Sequence, residues 1–175
     1  MNKFLSLILI LTISSCSSIA FWQSDEVDLD EPRELIDFNE RFEFTENWET
    51  KFKGESNLNS FIPAFAGNSL FFVDPEGNVT SIDINSGEVL WDSELETIVS
   101  AGIVAGFGRL FLSDDQGNLI CLDQDDGSLL WKTFAGGEVL ANVDVDAGLV
   151  VVKTASGFLN AFDLENGSEE WSYRS

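Results

Sequence analysis

Three segments of this sequence superpose without a gap at a period of 40 residues: GNVTSIDINSGEVLW (Gly77 to Trp91), GNLICLDQDDGSLLW (Gly117 to Trp131) and GFLNAFDLENGSEEW (Gly157 to Trp171). Four residue types keep step through all copies: Gly77, Gly117 and Gly157; Asp83, Asp123 and Asp163; Gly87, Gly127 and Gly167; and Trp91, Trp131 and Trp171. A period of this length belongs to arrays of one supersecondary unit. Apolar runs precede each first glycine. Each unit therefore holds about four short strand-like segments, near 61–66, 69–74, 78–84 and 88–92, with copies 40 and 80 residues on. A single four-stranded sheet cannot bury both faces alone, whereas like sheets stacked on each other can. The reading is an all-β chain, a β-propeller of four-stranded blades at about 57–95, 97–135 and 137–175.

The turns carry the local physics. Asp74-Pro-Glu-Gly77, Asp114-Asp-Gln-Gly117 and Thr154-Ala-Ser-Gly157 read as hairpin turns with glycine at positive φ. In Asp83-Ile-Asn-Ser-Gly87 and its copies, the aspartate can accept backbone N–H groups ahead of it and the glycine closes the reversal. The tryptophan four residues later is flat and large, suited to the wedge between twisted neighbouring sheets. Trp48, 43 residues before Trp91, takes the outer-strand slot of a unit whose first three strands are absent. Residues 42–52 are therefore predicted to be a closing strand that completes a blade at the far end of a ring. Known rings take about four to eight blades. The 175 residues are accordingly expected to be the N-terminal part of a longer protein.

Before the repeat lies a different kind of sequence. Lys3 and the apolar run Phe4 to Ile13 form a positive region and a core too short to span a bilayer, so residues 1–15 read as a signal peptide. Ile13-Ser14-Ser15-Cys16 resembles the lipobox of bacterial lipoproteins, which implies cleavage between Ser15 and Cys16 and lipidation of the Cys16 thiol. Two or three acyl chains anchor a protein stably. Ser17, rather than an aspartate, implies the outer membrane by the same resemblance, with the protein facing the periplasm of a Gram-negative bacterium. Residues 16–41 are dense in Asp and Glu around Pro32 and read as an acidic tether.

Charge and residue inventory exclude much. With 9 Lys and Arg against 31 Asp and Glu, a net charge of −22, the chain is a poor match for nucleic acid or anionic lipid. It has no histidine, which removes Ser-His-Asp, Cys-His and His-ligated metal chemistry. Cys121 sits where Ser81 and Ala161 sit in the other units and reads as a small packed residue. Asp123-Gln-Asp125-Asp126-Gly127 begins like a Ca²⁺ loop, but its copies lack the extra carboxylates. Gly102, Gly106 and Gly108 lack the Lys-Ser/Thr of a phosphate loop. No catalytic residue, metal site or cofactor is assigned.

The unit Ala161-x-Asp163-x-x-Asn166-Gly167-x-x-x-Trp171 resembles the PQQ-like propeller repeat, Ala-x-Asp-x-x-Thr-Gly-x-x-x-Trp. Ser81 and Cys121 stand at its alanine position, and Ser86 and Asp126 at its threonine position. Together with the lipobox, the repeat resembles the BamB-like lipoproteins of the outer-membrane β-barrel assembly (BAM) machine. That resemblance covers about residues 35–175. It implies a non-catalytic scaffold that binds BamA and other BAM subunits and helps nascent outer-membrane proteins reach them for insertion. It also implies partner contacts on a loop beyond about Trp171, so no contact residue is assigned here. Two alternatives stay open: a PQQ-dependent periplasmic dehydrogenase, and a generic periplasmic propeller for peptide or glycan.

Overall fold

The computed structural model describes Phe42, residues 44–51 and residues 61–174. The signal peptide, Ser15 and Cys16, and the tether lie outside the described residues, as do the first residues of the first blade. The chain divides into two units, Met1–Glu43 and Phe44–Ser175, and the strands of the described residues lie in the second.

Alternating apolar residues between glycine turns give three antiparallel meanders. The first is β1 (Ala64–Ala66), β2 (Ser69–Val73), β3 (Asn78–Asp83) and β4 (Val89–Glu94). The second is β5 (Val99–Gly106), β6 (Arg109–Asp114), β7 (Asn118–Asp123) and β8 (Leu129–Phe134). The third is β9 (Asp144–Asp146), β10 (Leu149–Lys153), β11 (Phe158–Asp163) and β12 (Glu169–Arg174). Each sheet runs in simple chain order, and no helix occurs among the described residues. The fold is all-β, built of four-stranded propeller blades.

Register repeats along with sequence. Phe71 pairs with Ser81, Phe111 with Cys121 and Val151 with Ala161. The outer pair carries a bulge at one place in every blade, between Ser81 and Ile82, Cys121 and Leu122, and Ala161 and Phe162. Trp91 faces Ser81 and Val89 faces Ile82, so Leu90 is the extra residue. A bulge re-aims the side chains beside it.

The middle blade shows why stacking is obligatory. Successive residues of a strand point to opposite faces. Leu110 and Leu112 pack with Phe71, Val73 and Val79 of the first blade, whereas Phe111 between them packs with Val150, Val152 and Phe162 of the third. β6 is buried on both faces, which explains its unbroken Leu110-Phe111-Leu112 run.

The segment read as a closing strand, residues 42–52, is described at Phe42 and residues 44–51. Residues 44–51 form no strand. Among the described residues no strand pairs with them in a ladder. Trp48 nevertheless has a specific seat on the first blade.

Candidate functional site

The site begins with the Asp-x-x-x-Gly turn between the third and fourth strands. The Asp83 carboxylate accepts the backbone N–H of Asn85 at 2.8 Å and of Ser86 at 2.9 Å. The Ser86 N–H, and after it that of Asn85, hold its carboxyl below the usual aspartate range. The Gly87 N–H closes the turn on the Asp83 carbonyl at 2.8 Å. Asp163 repeats the arrangement with Glu165 and Asn166, and Asp123 with Asp125. In the Asp123 turn the Asp126 carboxylate accepts the Ser128 N–H, so the carboxylates that suggested a Ca²⁺ loop are engaged in the turn itself.

The turn presents a bare glycine and an outward carbonyl, and an indole from the preceding segment covers both. Trp91 donates its ring N–H to Gln124 O at 3.2 Å and Trp131 to Leu164 O at 3.1 Å. Trp48 does the same to Ile84 O at 2.8 Å. A Cβ on Gly127 would stand 2.6 Å from the Trp91 ring, and on Gly87 or Gly167 equally close to Trp48 or Trp131. Gly127 also holds φ at +73°. Glycine thus answers two demands, the left-handed backbone and the flat seat for the ring. Hydroxyls two residues on extend the grip: Thr50 donates to Gly87 O at 2.5 Å and Ser93 to Gly127 O at 3.2 Å. Phe71 and Phe111 pack tilted against Trp91 and Trp131, ring centroids 6.0 Å apart. Trp171 remains 41% exposed.

Of the remaining repeat residues, Gly77, Gly117 and Gly157 close the hairpins between the second and third strands, where their N–H groups bond to Asp74, Asp114 and Thr154 carbonyls. Asp114 is fully buried, receives the Asn118 side-chain and backbone N–H groups, and meets the Lys132 ammonium at 2.7 Å. Burial works to raise its pKa, but the Lys132 and Asn118 hydrogen bonds together hold it below the usual carboxylate range.

Several joints between blades were missed from sequence. Arg109 makes a bidentate pair with Glu165, at 3.1 and 2.5 Å. Ser100 donates toward Asp114 O and Val139 O, and the buried Asn160 donates to Ala135 O at 2.8 Å. None of these recurs at the 40-residue period, so a search for repeats passes over them.

Cys121 is fully buried, and desolvation pushes its thiol up to about 12, so it is no nucleophile at neutral pH. Among the described residues no three His, Cys, Asp or Glu side chains converge as metal ligands. Gly102 and Gly106 lie within β5 and Gly108 in the turn after it, away from any helix N-terminus. The Trp91 and Trp131 indoles each have one face on glycine and are packed against phenylalanine. What the blades offer is edges: β4, β8 and β12 are outermost in their sheets, with Val89, Leu90, Leu129, Leu130, Trp171 and Tyr173 exposed. Unpaired strand edges beside apolar side chains can receive an extended peptide.

Comparison with known proteins agrees with this architecture. The profile of a family described as outer membrane protein assembly factor BamB matches residues 75–175. An outer membrane protein assembly factor BamB of Kangiella koreensis is 32% identical over 107 residues, covering 60% of this chain and 26% of that relative. The chain thus spans about a quarter of the length of such relatives. The crystal structure of BamB from Moraxella catarrhalis superposes with a TM-score of 0.61 at 21% identity, over 66% of this chain and 35% of that one. A quinohemoprotein alcohol dehydrogenase from Comamonas testosteroni superposes at 0.54 with 20% identity, over 65% of this chain and 20% of that one, a likeness of fold.

Proposed function

The chain belongs to the outer membrane protein assembly factor BamB family, and from that premise we propose that it serves as a non-catalytic scaffold lipoprotein of the β-barrel assembly complex. In this reading Cys16 carries the lipid, the acidic segment spans from membrane to blades, and the blades face the periplasm. They bind BamA and other BAM subunits and assist delivery and insertion of nascent barrel proteins.

The observation that carries the reading is the family match over residues 75–175, which covers the second and third blades and β3 and β4 of the first. The exposed outer edges of β4, β8 and β12 support it, because unfolded barrel proteins are rich in extended segments seeking a strand partner. The test is isolation of the protein from detergent-solubilised membranes of its host. BamA should co-purify, and a Cys16→Ser variant should be lost from the membrane fraction. Clean absence of BamA would overturn the assembly role.

A further inference from the structure

The residue before the glycine of each Asp-x-x-x-Gly turn does one job with three chemistries. Ser86, Asp126 and Asn166 each accept, through a side-chain oxygen, the backbone N–H two residues on: Glu88 at 3.3 Å, Ser128 at 2.9 Å and Ser168 at 2.8 Å. As turn formers they are interchangeable. As reactants toward the next backbone nitrogen they are not. Serine has no carbonyl for that nitrogen to attack. Aspartate has one, but the Ser128 side chain, and after it the Ser128 N–H, hold the Asp126 carboxyl below the usual range, and an ionised carboxylate has no good leaving group. Asn166 presents an uncharged carboxamide and is exposed, and of all the asparagines in the sequence it alone precedes a glycine.

We propose that Asn166–Gly167 is a self-modification site, where deamidation leaves aspartate or isoaspartate at position 166 and the isoaspartate form releases the Trp131 indole that joins the second blade to the third. The Gly167 nitrogen attacks the Asn166 Cγ and a C–N bond forms. The nitrogen's proton goes to a solvent base, the Cγ–Nδ2 bond breaks, and ammonia leaves. Water then opens the cyclic imide at either carbonyl, and nothing is oxidised or reduced. Two features of the turn favour the attack. The Ser168 N–H already bonds the carboxamide oxygen, the atom on which negative charge gathers. Gly167 carries no Cβ to obstruct the approach. The Gly167 N–H is itself bonded to Asp163 O at 2.9 Å, so attack waits for that bond to open; Glu165, Asn166 and Ser168 around it are exposed, and the opening is local. The two products differ in consequence. Aspartate here is what the second blade carries in Asp126, with its turn intact. Isoaspartate routes the main chain through the side-chain methylene and lengthens it by an atom. That atom enters directly before a glycine whose Cβ position lies 2.6 Å from the Trp131 ring. The indole's bond to Leu164 O at 3.1 Å and its stack on Gly167 cannot both survive the insertion. The site is independent of the assembly role.

The test incubates the whole chain in mildly alkaline buffer at physiological temperature and follows it by peptide mass mapping, where deamidation adds about 1 Da. Asn166 should convert at least about tenfold faster than Asn85, the exposed asparagine of the first blade's turn, which precedes a serine. In the isoaspartate fraction, hydrogen exchange of the Gly167 amide should accelerate at least about tenfold. Treatment with an isoaspartyl methyltransferase and S-adenosylmethionine, which returns isoaspartate to aspartate, should restore slow exchange. Asn166→Ser, the first blade's own choice at that place, should stop the conversion with the seat still closed, and Asn166→Asp should exchange as slowly as the unaltered chain. Conversion of Asn166 no faster than that of Asn85, or an isoaspartate fraction whose exchange is unchanged, would overturn the proposal.

Discussion

At the scale of single residues, a glycine next to an indole differs from a glycine that merely turns. Gly108 and Gly127 share φ +73°, but nothing lies within 4 Å of a Cβ on Gly108, whereas Trp91 lies 2.6 Å from one on Gly127. Gly108→Ala should cost about 1 kcal/mol, the left-handed penalty alone. Gly127→Ala should cost at least about 3 kcal/mol, because the ring must leave its seat. Urea unfolding of the pair separates the two effects, and equal midpoints would remove the steric one. Asp114 gives a pH signature. Its carboxyl is held below its ordinary range by Lys132 and Asn118 against the cost of burial. The charged form therefore adds stability above an unfolded aspartate's pKa, near 3.8, and that contribution disappears as pH falls through the lower folded value. The stability gap between the unaltered chain and Asp114→Asn should be widest at neutral pH and close progressively below about pH 4. Residues repeated at 40 were legible as a set, and the Asp and Gly of the turn had their roles read off their types. The indole's seat on that glycine was not legible, since it joins residues 36 apart for Ile84 and Trp48 and 33 apart for Gln124 and Trp91, which no local pattern shows.

Elements were legible where alternation and turn chemistry agree. The segments expected near 69–74 and 78–84 appear as Ser69–Val73 and Asn78–Asp83. The outer strand runs on to Glu94, and the innermost strands vary from three residues in β1 and β9 to eight in β5, where two register shifts accommodate Gly102 beside Asn142. The innermost strand carries the least periodic sequence, so its ends were the hardest to read. Burial then ranks the strands. Leu112 in β6 is wholly covered and Leu130, the bulge residue of β8, is not. Leu112→Ala should cost about 3 kcal/mol and Leu130→Ala less than about 1 kcal/mol. Comparable losses would mean that the outer strands are covered in solution. Amide exchange should follow the same order, slowest in β6 and β7 and fastest in β12, whose residues are all exposed.

For the molecule as a whole, charge is the term the sequence states most openly. A net −22 on 175 residues repels itself, and salt screens that repulsion within about 10 Å at 0.1 M. Raising ionic strength from about 0.02 to 0.3 M should increase the unfolding midpoint, and a fall would show that ion pairs such as Arg109–Glu165 outweigh the general repulsion. The residues that join the blades escaped sequence reading for the reason just given, that they do not repeat. Yet they sit on a frame that does, and the frame has a direction. Every covered turn receives its indole from the chain N-terminal to it. Such an array reads the same from any starting copy, so whole 40-residue units can be duplicated or deleted in a genome while each plug still finds a hole. A cut that falls between a tryptophan and the turn it covers leaves both ends mismatched, and lineages of this fold should accordingly gain and lose length in integral steps.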